Sequence, residues 1–362
     1  IAELKAELTG EETEEAVQAL KRTVAERCLY GVDLNQLATE LAKLSLWLHT
    51  VAKGKPLSFL DHHLRTGNSL IGARVKDLER PPSGKAHEIG LWESKLVQDL
   101  AKAIGYLNFI KASASVSRSD IEEKKQQWEL VNAWIGKYKR AADVWLSSHF
   151  GNTVSDDAFQ KVLQAAASGH MDNVANSSTM RRAEEIAAEK RFFHWELEFP
   201  DVFSDKHGRR LENPGFDTVI GNPPYVRVRT LKEAGDSNVT YYEHSGDFRC
   251  AVHVWDIYML FVEQAQRLTR PDGVCSFIMP IQTLHQPNAL ALRNLLLEKC
   301  WVREIVDLSN LQVFEDAIVK TCILVYSPVS DDRVKSVLLL VPSDSALESA
   351  SATSVPSSML AQ

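Results

Sequence analysis

The chain has 362 residues, of which 44% are hydrophobic and 25% are charged. This length suits one large domain with an insertion or two domains, and the composition is that of a soluble globular protein. The net charge of −7 excludes nucleic-acid binding through overall charge, so any such role must rest on a local basic surface.

No run of residues approaches the roughly 18 apolar positions of a membrane span. The N-terminus has no charged-then-apolar signal peptide. The five cysteines are scattered without a C-x-x-C pair, which argues against a zinc site and against a disulfide framework. We therefore expect a cytoplasmic protein that holds no metal and makes no membrane contact.

The N-terminal part predicts a helix, a strand and a second helix. Residues 11–27 carry apolar side chains at helical spacing among charges, as in an amphipathic helix. The segment CLYGVDL, residues 28–34, predicts a buried strand that ends in Asp33. The second helix has Asn35 as its N-cap, and its leucines share one face: Leu37, Leu41, Leu44 and Leu48. A strand followed by a helix is half of a βαβ unit.

Two polar residues follow predicted strands in this part. Asp33 stands at the carboxyl end of the first strand, where ligands bind in open α/β sheets and an acid commonly holds ribose hydroxyls. The alternative of equal weight is an aspartate that caps the next helix. Asn68 follows the next predicted strand, within residues 64–72, and its amide can read an adenine edge. Taken alone, Asn68 is more often a turn residue.

The rest of the chain divides into a helical insertion and a second α/β part. Long charged helical stretches dominate residues 73–190, between the two parts of an α/β core at 1–72 and 191–345. The pattern after residue 216 predicts strands at 216–221, 275–280, 302–309, 320–328 and 334–342, helices at 254–269 and 288–300, and a turn at 272–274. The Ser/Ala-rich tail, residues 346–362, is expected to fray.

The tetrapeptide Asn222-Pro223-Pro224-Tyr225 ends a short apolar run, and two prolines cannot continue a central strand. Its residues suit reaction at an exocyclic amine, a poor nucleophile because its lone pair is delocalised into the ring. The Asn222 side-chain oxygen and the Pro223 carbonyl can accept both N–H protons and aim the nitrogen at a methyl donor. Tyr225 offers a flat face to an extruded base. The alternative is a tight turn with Tyr225 packed into the core.

Three further features are weaker signals. Phe314 precedes a late strand and can form the second face of an aromatic sandwich around a base, although a loop phenylalanine is by default a core residue. Arg227, Arg229 and Lys232 can contact phosphates or form an ordinary charged loop. Residues 192–195, Phe-Phe-His-Trp, are expected to pack rather than to react.

These residues together resemble the gamma-class N6-adenine DNA methyltransferases, above all the large enzymes of type IIG restriction-modification and BREX phage-exclusion systems. The resemblance rests on segments that follow one another in the family's order and cover residues 28–72 and 192–326: YGVDLNQLATELAKLSLWL, GNSLIG, FHWELEFPDVF, GFDTVIGNPPYVR, DIYMLFVEQAQRLTRPDGVCSFIMP and IVDLSNLQVFEDAIVKTCILVY.

The resemblance implies a fold, a reaction and partners. The fold is a doubly wound, Rossmann-like α/β sheet of the class I methyltransferases with a mainly helical insertion. The reaction is adenine-specific methylation of double-stranded DNA with S-adenosyl-methionine as donor and a flipped target base. The partners are DNA and possible restriction or defence-system subunits.

The resemblance also assigns roles to residues. It places Asp33 on the cofactor's ribose hydroxyls and Asn68 on its adenine, although many members have Asp at the Asn68 position, and it makes the adjacent Leu34 and Ser69 cofactor-binding residues as well. It places Asn222, Pro223, Pro224 and Tyr225 at the target amine, Asn222 also beside the cofactor, and Tyr225 and Phe314 on the two faces of the base.

Two departures from the family pattern predict a fragment. The glycine-rich loop D-P-A-C-G-S-G should lie on a strand before Asp33, yet no such sequence stands between Ile1 and Cys28. A target-recognition domain should follow the last core motif, yet the chain ends at Gln362 after the Ser/Ala-rich tail. The chain also begins with Ile1 rather than Met. We therefore expect a sheet that lacks its first strand, and a fragment that is inactive alone.

Three other functions compete with this interpretation. N-P-P-Y also occurs in enzymes that methylate a glutamine amide of translation release factors and in some RNA base methyltransferases, which are compact and lack a long helical insertion. A non-catalytic DNA-binding or assembly remnant is the second alternative, favoured by the missing glycine loop. A nucleotide-dependent dehydrogenase is the weakest, because no G-x-G-x-x-G follows a first strand.

Overall fold

The computed structural model describes residues 12–51, 56–84, 92–113, 115–314, 319–329, 336–342 and 350–356. The chain divides into two compact units, residues 1–211 and 212–362. Their strands form two separate sheets, a parallel pair in the first unit and a six-stranded sheet in the second. The predicted α/β class is confirmed. The domain boundaries and the missing first strand stay predictions.

The first unit begins with the predicted helix-strand-helix order. Helix α1 spans Glu12–Arg27, strand β1 spans Gly31–Asp33, helix α2 spans Gln36–His49 and strand β2 spans Leu64–Thr66. Strands β1 and β2 are parallel, with Asp33 opposite Thr66. The carboxyl ends of both strands therefore lie at the same edge of the sheet. The prediction of a buried β1 is wrong, since Gly31 and Val32 are half-buried and Asp33 is exposed.

Among the described residues of the stretch predicted to be helical there are five α-helices: α3 Trp92–Ala112, α4 Arg118–Ser147, α5 Asp156–Ser168, α6 Asp172–Ala175 and α7 Ser178–Lys190. Serine N-caps start three of them, because the hydroxyls of Ser117, Ser155 and Ser177 accept hydrogen bonds from backbone N–H groups of the first turn. Two short helices, α8 Trp195–Glu198 and α9 Pro200–Phe203, complete the unit. None of the described helices is both long and apolar enough to span a membrane.

The second unit is built on a mixed sheet. Its strands are β3 Phe216–Gly221, β4 Thr269–Pro280, β5 Trp301–Asp307, β6 Thr321–Ser327, β7 Ser336–Pro342 and β8 Ala350–Pro356, in the order β3-β4-β6-β5-β7-β8. The helices are α10 Val228–Glu233, α11 Asn238–His244, α12 Ile257–Leu268 and α13 Leu290–Lys299. Strands β3, β4 and β5 run in one direction, since β6 is antiparallel to both β4 and β5.

Two local predictions in this unit are wrong. The turn expected at 272–274 lies inside β4. The register between β3 and β4 shifts at this place, since Thr269 pairs with Phe216 but Val274, five residues later, pairs with Thr218. The tail expected to fray forms β8 over 350–356, antiparallel to β7. At β8, antiparallel pairing with β7 overrides the weak strand preference of this Ser/Ala-rich segment. In β4, residues 270–273 have no partner on β3, so the Asp-Gly segment stands at an irregularity of the strand.

Helix α2 turns its leucines outward. The helix begins at the predicted N-cap, where the Asn35 side chain accepts a hydrogen bond from the Leu37 amide. Thr39 and Lys43 are buried, whereas the shared leucine face is 46–69% exposed, at Leu37, Leu41, Leu44 and Leu48. A contiguous apolar surface of this kind is typical of an interface.

A buried pair of histidines stands directly before β2. His62 and His63 are 2% and 1% exposed, their ring centroids lie 3.9 Å apart, and Tyr30 packs on His63 at 4.0 Å. None of the four ring nitrogens has a hydrogen-bond partner among the described residues. Burial and the nearby Lys111 lower the pKa of His62 to about 3, and burial holds that of His63 well below its usual value.

This pair predicts acid-sensitive stability. Both histidines are neutral in the folded chain, while in the unfolded chain each binds a proton near pH 6.5. As pH falls below 6.5, each histidine that stays neutral in the folded chain should lower the free energy of unfolding by up to about 1.4 kcal/mol per pH unit. For His62 this range extends down to about pH 3.

Urea unfolding at pH 7.5, 6.5 and 5.5 measures this slope. The double variant His62→Phe/His63→Phe should show a shallower slope than the unchanged chain, and the exposed-site control His207→Gln should not. Equal slopes for all three proteins would contradict the assignment.

Candidate active site

The Asn222–Tyr225 loop begins where glycine is required. Gly221 ends β3 opposite Phe277 of β4, and a Cβ atom on Gly221 would lie 2.7 Å from the Phe277 ring. The next residues stop the strand, because neither Pro223 nor Pro224 has an N–H to donate. Strand β3 is not the central strand that the sequence indicates, since within the described residues it pairs with β4 alone and Ile220 is 77% exposed.

The exit of the loop is fixed by backbone hydrogen bonds. The Val228 amide donates to the Trp255 carbonyl at 2.8 Å, and the Ile257 amide donates to the Val226 carbonyl at 2.9 Å. Arg227 and Asp256 therefore face each other as an isolated antiparallel bridge. With β3 at one end and this bridge at the other, the loop is held at both ends while Asn222 stays exposed.

Tyr225 stands half-buried in this loop. Its ring meets Tyr258 edge-on, with centroids 6.0 Å apart and an interplanar angle of 84°. Tyr258 is held in turn by a 2.7 Å hydrogen bond between its hydroxyl and that of Thr283. The Tyr225 hydroxyl is buried and has no partner among the described residues. Because burial raises the pKa of Tyr225 to about 12, the side chain is a neutral aromatic surface rather than a base.

Asp256 is a site residue that the sequence analysis missed. It precedes α12 as an N-cap, yet its carboxylate caps no helix amide, and within the described chain its buried Oδ1 atom has no partner. Burial raises the pKa of Asp256, and Arg227 opposes that shift. An aspartate before a helix normally predicts a cap, so nothing in the local sequence signals this arrangement.

The basic residues after the loop differ in their surroundings. Arg227 is exposed. Arg229 pairs with Glu233 at 2.7 Å and Lys232 pairs with Glu243 at 2.9 Å. Arg229, Glu233 and Lys232 are exposed, whereas Glu243 is half-buried. Ion pairs at an exposed surface contribute little to stability, so both basic groups remain available to a stronger anionic ligand.

Phe314 lies at the same edge of the sheet as the loop. It is half-buried in the turn that follows β5, and β5 runs parallel to β3 with β4 and β6 between them. Three strand spacings correspond to roughly 14 Å. Phe314 thus lies at the same sheet edge as the loop, whereas the ring that contacts Tyr225 is that of Tyr258, and the stacking role of Phe314 stays a prediction.

The first unit brings the other predicted residues together. The Gly67 amide donates to the Asp33 carbonyl at 2.9 Å. The exits of β1 and β2, meaning the carboxyl ends of these strands and the residues that directly follow them, are therefore adjacent. Asp33 Oδ1 accepts from the Asn35 amide at 2.6 Å, and Asn68 Oδ1 accepts from the Leu70 amide at 3.1 Å. Both side chains thus make the local bonds of the structural alternatives, while Leu34 stays 53% exposed.

Arg191 ties these two exits together and was not predicted. Its backbone is left-handed, with φ 55°, and its carbonyl accepts from the Asn68 amide at 2.7 Å. Its guanidinium donates to the Leu34 carbonyl. The following aromatic segment packs as predicted: Phe193 and His194 are buried, and His194 links the Ala73 amide to Asp143. The Trp195 indole donates to the Ser69 carbonyl at 3.0 Å.

Comparison with known proteins identifies the family. The family model described as Eco57I restriction-modification methylase matches residues 27–314, which include every candidate residue above. The chain belongs to this family. The confirmed membership accords with the resemblance drawn from the sequence.

Curated relatives of the chain are longer proteins. A putative type II restriction enzyme and methyltransferase from Methanocaldococcus jannaschii is 23% identical over 339 residues, which cover 84% of this chain and 26% of that protein. The Escherichia coli type II restriction enzyme and methyltransferase RM.Eco57I is 25% identical over 123 residues, 34% of this chain and 12% of that protein. The chain thus spans about a quarter of the first relative and an eighth of the second.

Solved structures of restriction-modification enzymes are also similar to this chain. The type IIL restriction-modification enzyme MmeI, solved with DNA, matches with a TM-score of 0.33 and 11% identity, over 94% of this chain and 35% of MmeI. The type IIG restriction endonuclease BpuSI matches with a TM-score of 0.32 and 14% identity, over 79% of this chain and 42% of BpuSI.

The close approach at Gly221 gives a stability prediction. Gly221→Ala should lower the free energy of unfolding by about 1–3 kcal/mol, because the new methyl group overlaps the Phe277 ring. Gly136→Ala is the matched control, since Gly136 lies inside α4 with no atom within 4 Å of its Cβ position. That change should stabilise the chain by up to about 1 kcal/mol.

Urea denaturation of the two glycine variants and the unchanged chain tests the prediction. A Gly221→Ala variant as stable as Gly136→Ala would show that the strand end accepts a side chain.

Proposed function

We propose that this chain carries the catalytic loop of an S-adenosyl-methionine-dependent methyltransferase acting on N6 of adenine in duplex DNA. The observation that carries the proposal is the rigidly held loop that exposes Asn222 and half-buries the neutral Tyr225 ring. The family, and the naming of both curated relatives as restriction enzyme and methyltransferase, support a role in restriction-modification or phage defence.

The residues at the exits of β1 and β2 fit the adenosine part of the cofactor. Asp33 is exposed and is an acceptor-only carboxylate, which suits two ribose hydroxyl donors. The exposed Leu34 side chain offers an apolar surface to a ring, and the buried Asn68 and half-buried Ser69 follow directly after β2. When bound, S-adenosyl-methionine supplies an electrophilic methyl group.

The loop supplies orientation rather than base catalysis. The Asn222 side-chain oxygen and the Pro223 carbonyl accept the two N–H protons of the amine, which directs the nitrogen lone pair outward. Because the loop backbone is held at both ends before the substrate arrives, little backbone reorganisation is needed during the reaction. Methyl transfer would break the bond between the methyl group and the cofactor's sulfur, with the thioether S-adenosyl-homocysteine as the leaving group, and one proton of the methylated nitrogen would then pass along these hydrogen bonds to water.

The aromatic and basic residues hold the rest of the substrate. Tyr225 stacks on one face of the extruded base, and Phe314 closes on the other from the same sheet edge. Arg227 and Arg229 contact the phosphates that flank the target. Each role follows from the side chain's chemistry and its place on the carboxyl edge of β3 and β5.

A substrate competition tests the proposal. The full-length protein encoded by the gene is incubated with tritiated S-adenosyl-methionine and equal masses of duplex DNA, structured RNA and cell-extract protein. Label on duplex DNA alone is the expected result. Label on RNA or on a protein amide would move the assignment to one of the competing methyltransferases, and label on none of them would favour a non-catalytic DNA-binding remnant.

A further inference from the structure

A short apolar loop projects next to the candidate active site. Residues 251–254, Ala-Val-His-Val, connect the region after α11 to the start of α12. Val252 and Val254 are 45% and 56% exposed, and His253 between them is exposed as well. Single exposed valines are ordinary on protein surfaces. Here three successive residues are exposed between the buried Ala251 and Trp255.

The N-terminal side of this loop is anchored by a buried carboxylate. Glu263 of α12 is only 3% exposed, and its two oxygens accept from the backbone amides of Arg249 at 2.9 Å and Cys250 at 3.0 Å. A buried charge of this kind needs such donors to remain stable. The loop therefore leaves the core from a fixed point.

The C-terminal side is anchored on the catalytic loop itself. Trp255 is fully buried, its indole donates to Glu243 at 3.2 Å, and its carbonyl accepts from Val228. Asp256, the next residue, faces Arg227 across the antiparallel bridge. Tyr225 stands two residues before Arg227, so the exposed loop and the tyrosine belong to one rigid backbone assembly.

The turn between the two valines has an uncommon backbone. His253 has φ 58°, a left-handed conformation that residues other than glycine rarely adopt. Since both anchors fix the loop, the conformation is set before any ligand arrives, as expected of a recognition element rather than of a flexible connection.

We propose that Val252, His253 and Val254 form a wedge that enters the base stack of duplex DNA beside the extruded base. The inference rests on the proposed function. Extruding a base leaves an unstacked space, and proteins that distort DNA fill such a space with apolar side chains. The valines replace lost stacking without needing hydrogen bonds, and the His253 imidazole can stack on a neighbouring base.

The test uses two fluorescent duplexes of identical sequence, one fully paired and one with a single abasic position. The abasic duplex already contains the space that the wedge would fill, so binding to it requires no base extrusion. Fluorescence anisotropy gives the dissociation constant of the full-length protein for each duplex. We compare the unchanged protein with Val252→Ser/Val254→Ser and with the control Val116→Ser, whose side chain is 56% exposed before α4.

The unchanged protein and the control should prefer the abasic duplex by about tenfold. The double variant should bind the paired duplex within about twofold of the unchanged protein and lose the preference. The wedge would be overturned by any of three results. The double variant could keep the preference for the abasic duplex, the unchanged protein could lack that preference, or the unchanged protein could bind neither duplex. Because no methyl transfer is measured, a protein that binds in the expected way but labels no DNA would retain the wedge and lose the proposed reaction.

Discussion

Asn222→Ala should reduce methyl transfer by about 100- to 1,000-fold while leaving the fold intact. The size follows from removing one preorganised electrostatic contact to the reacting group, since the remaining Pro223 carbonyl can hold only one of the two amine protons. Asn222 is exposed at the end of β3, so truncation creates no cavity. Initial rates with tritiated S-adenosyl-methionine, together with circular dichroism spectra, measure both effects.

Asn222→Asp is the matched variant, because it keeps an acceptor oxygen at the same position. We expect it to retain far more activity than Asn222→Ala. An alanine variant within tenfold of the unchanged protein would show that the side-chain oxygen does not position the amine. An aspartate variant as inactive as alanine would show that more than acceptor chemistry is required.

Tyr225→Ala should lower the rate of methyl transfer by about 5- to 150-fold, corresponding to the roughly 1–3 kcal/mol of one base–aromatic stack. Tyr225→Phe separates the ring from the hydroxyl. The hydroxyl is buried without a partner among the described residues, so the phenylalanine variant should be at least as stable as the unchanged protein and similarly active. Relieving a buried unsatisfied group is neutral or favourable.

The comparison of these two variants decides what Tyr225 does. Activity that falls equally in both would assign the function to the hydroxyl, and activity retained by both would make Tyr225 a packing residue beside Tyr258. Urea denaturation of each variant separates a loss of stacking from a loss of stability.

Local patterns in the sequence were sufficient for most elements. Helical spacing located α1, and the Asn35 cap with its leucine repeat located α2 to within about a residue. The prolines of Asn222–Tyr225 marked the end of β3 because no pairing partner can compensate for their missing N–H groups. The same tetrapeptide lies in one of the six segments that together carried the family resemblance, which the match over residues 27–314 confirmed.

The features that the sequence analysis missed or predicted wrongly share a cause: each depends on residues that are distant in the sequence. Strand β8 forms because the edge of β7 offers it hydrogen bonds, and a Ser/Ala-rich segment does not reveal such a partner. The buried Oδ1 of Asp256 and the backbone role of Arg191 likewise arise from segments brought together by the fold. Helical periodicity indicates which residues share a face, but for α2 it did not indicate that this face is exposed.

The most direct test of the central claim is to identify the methylated atom. Duplex DNA treated with the full-length protein and S-adenosyl-methionine is digested to nucleosides and analysed by mass spectrometry, with the Asn222→Ala protein in parallel. Our account predicts N6-methyldeoxyadenosine with the unchanged protein and its near absence with the variant. Methylated cytosine, or methyladenine that persists in the variant, would contradict it.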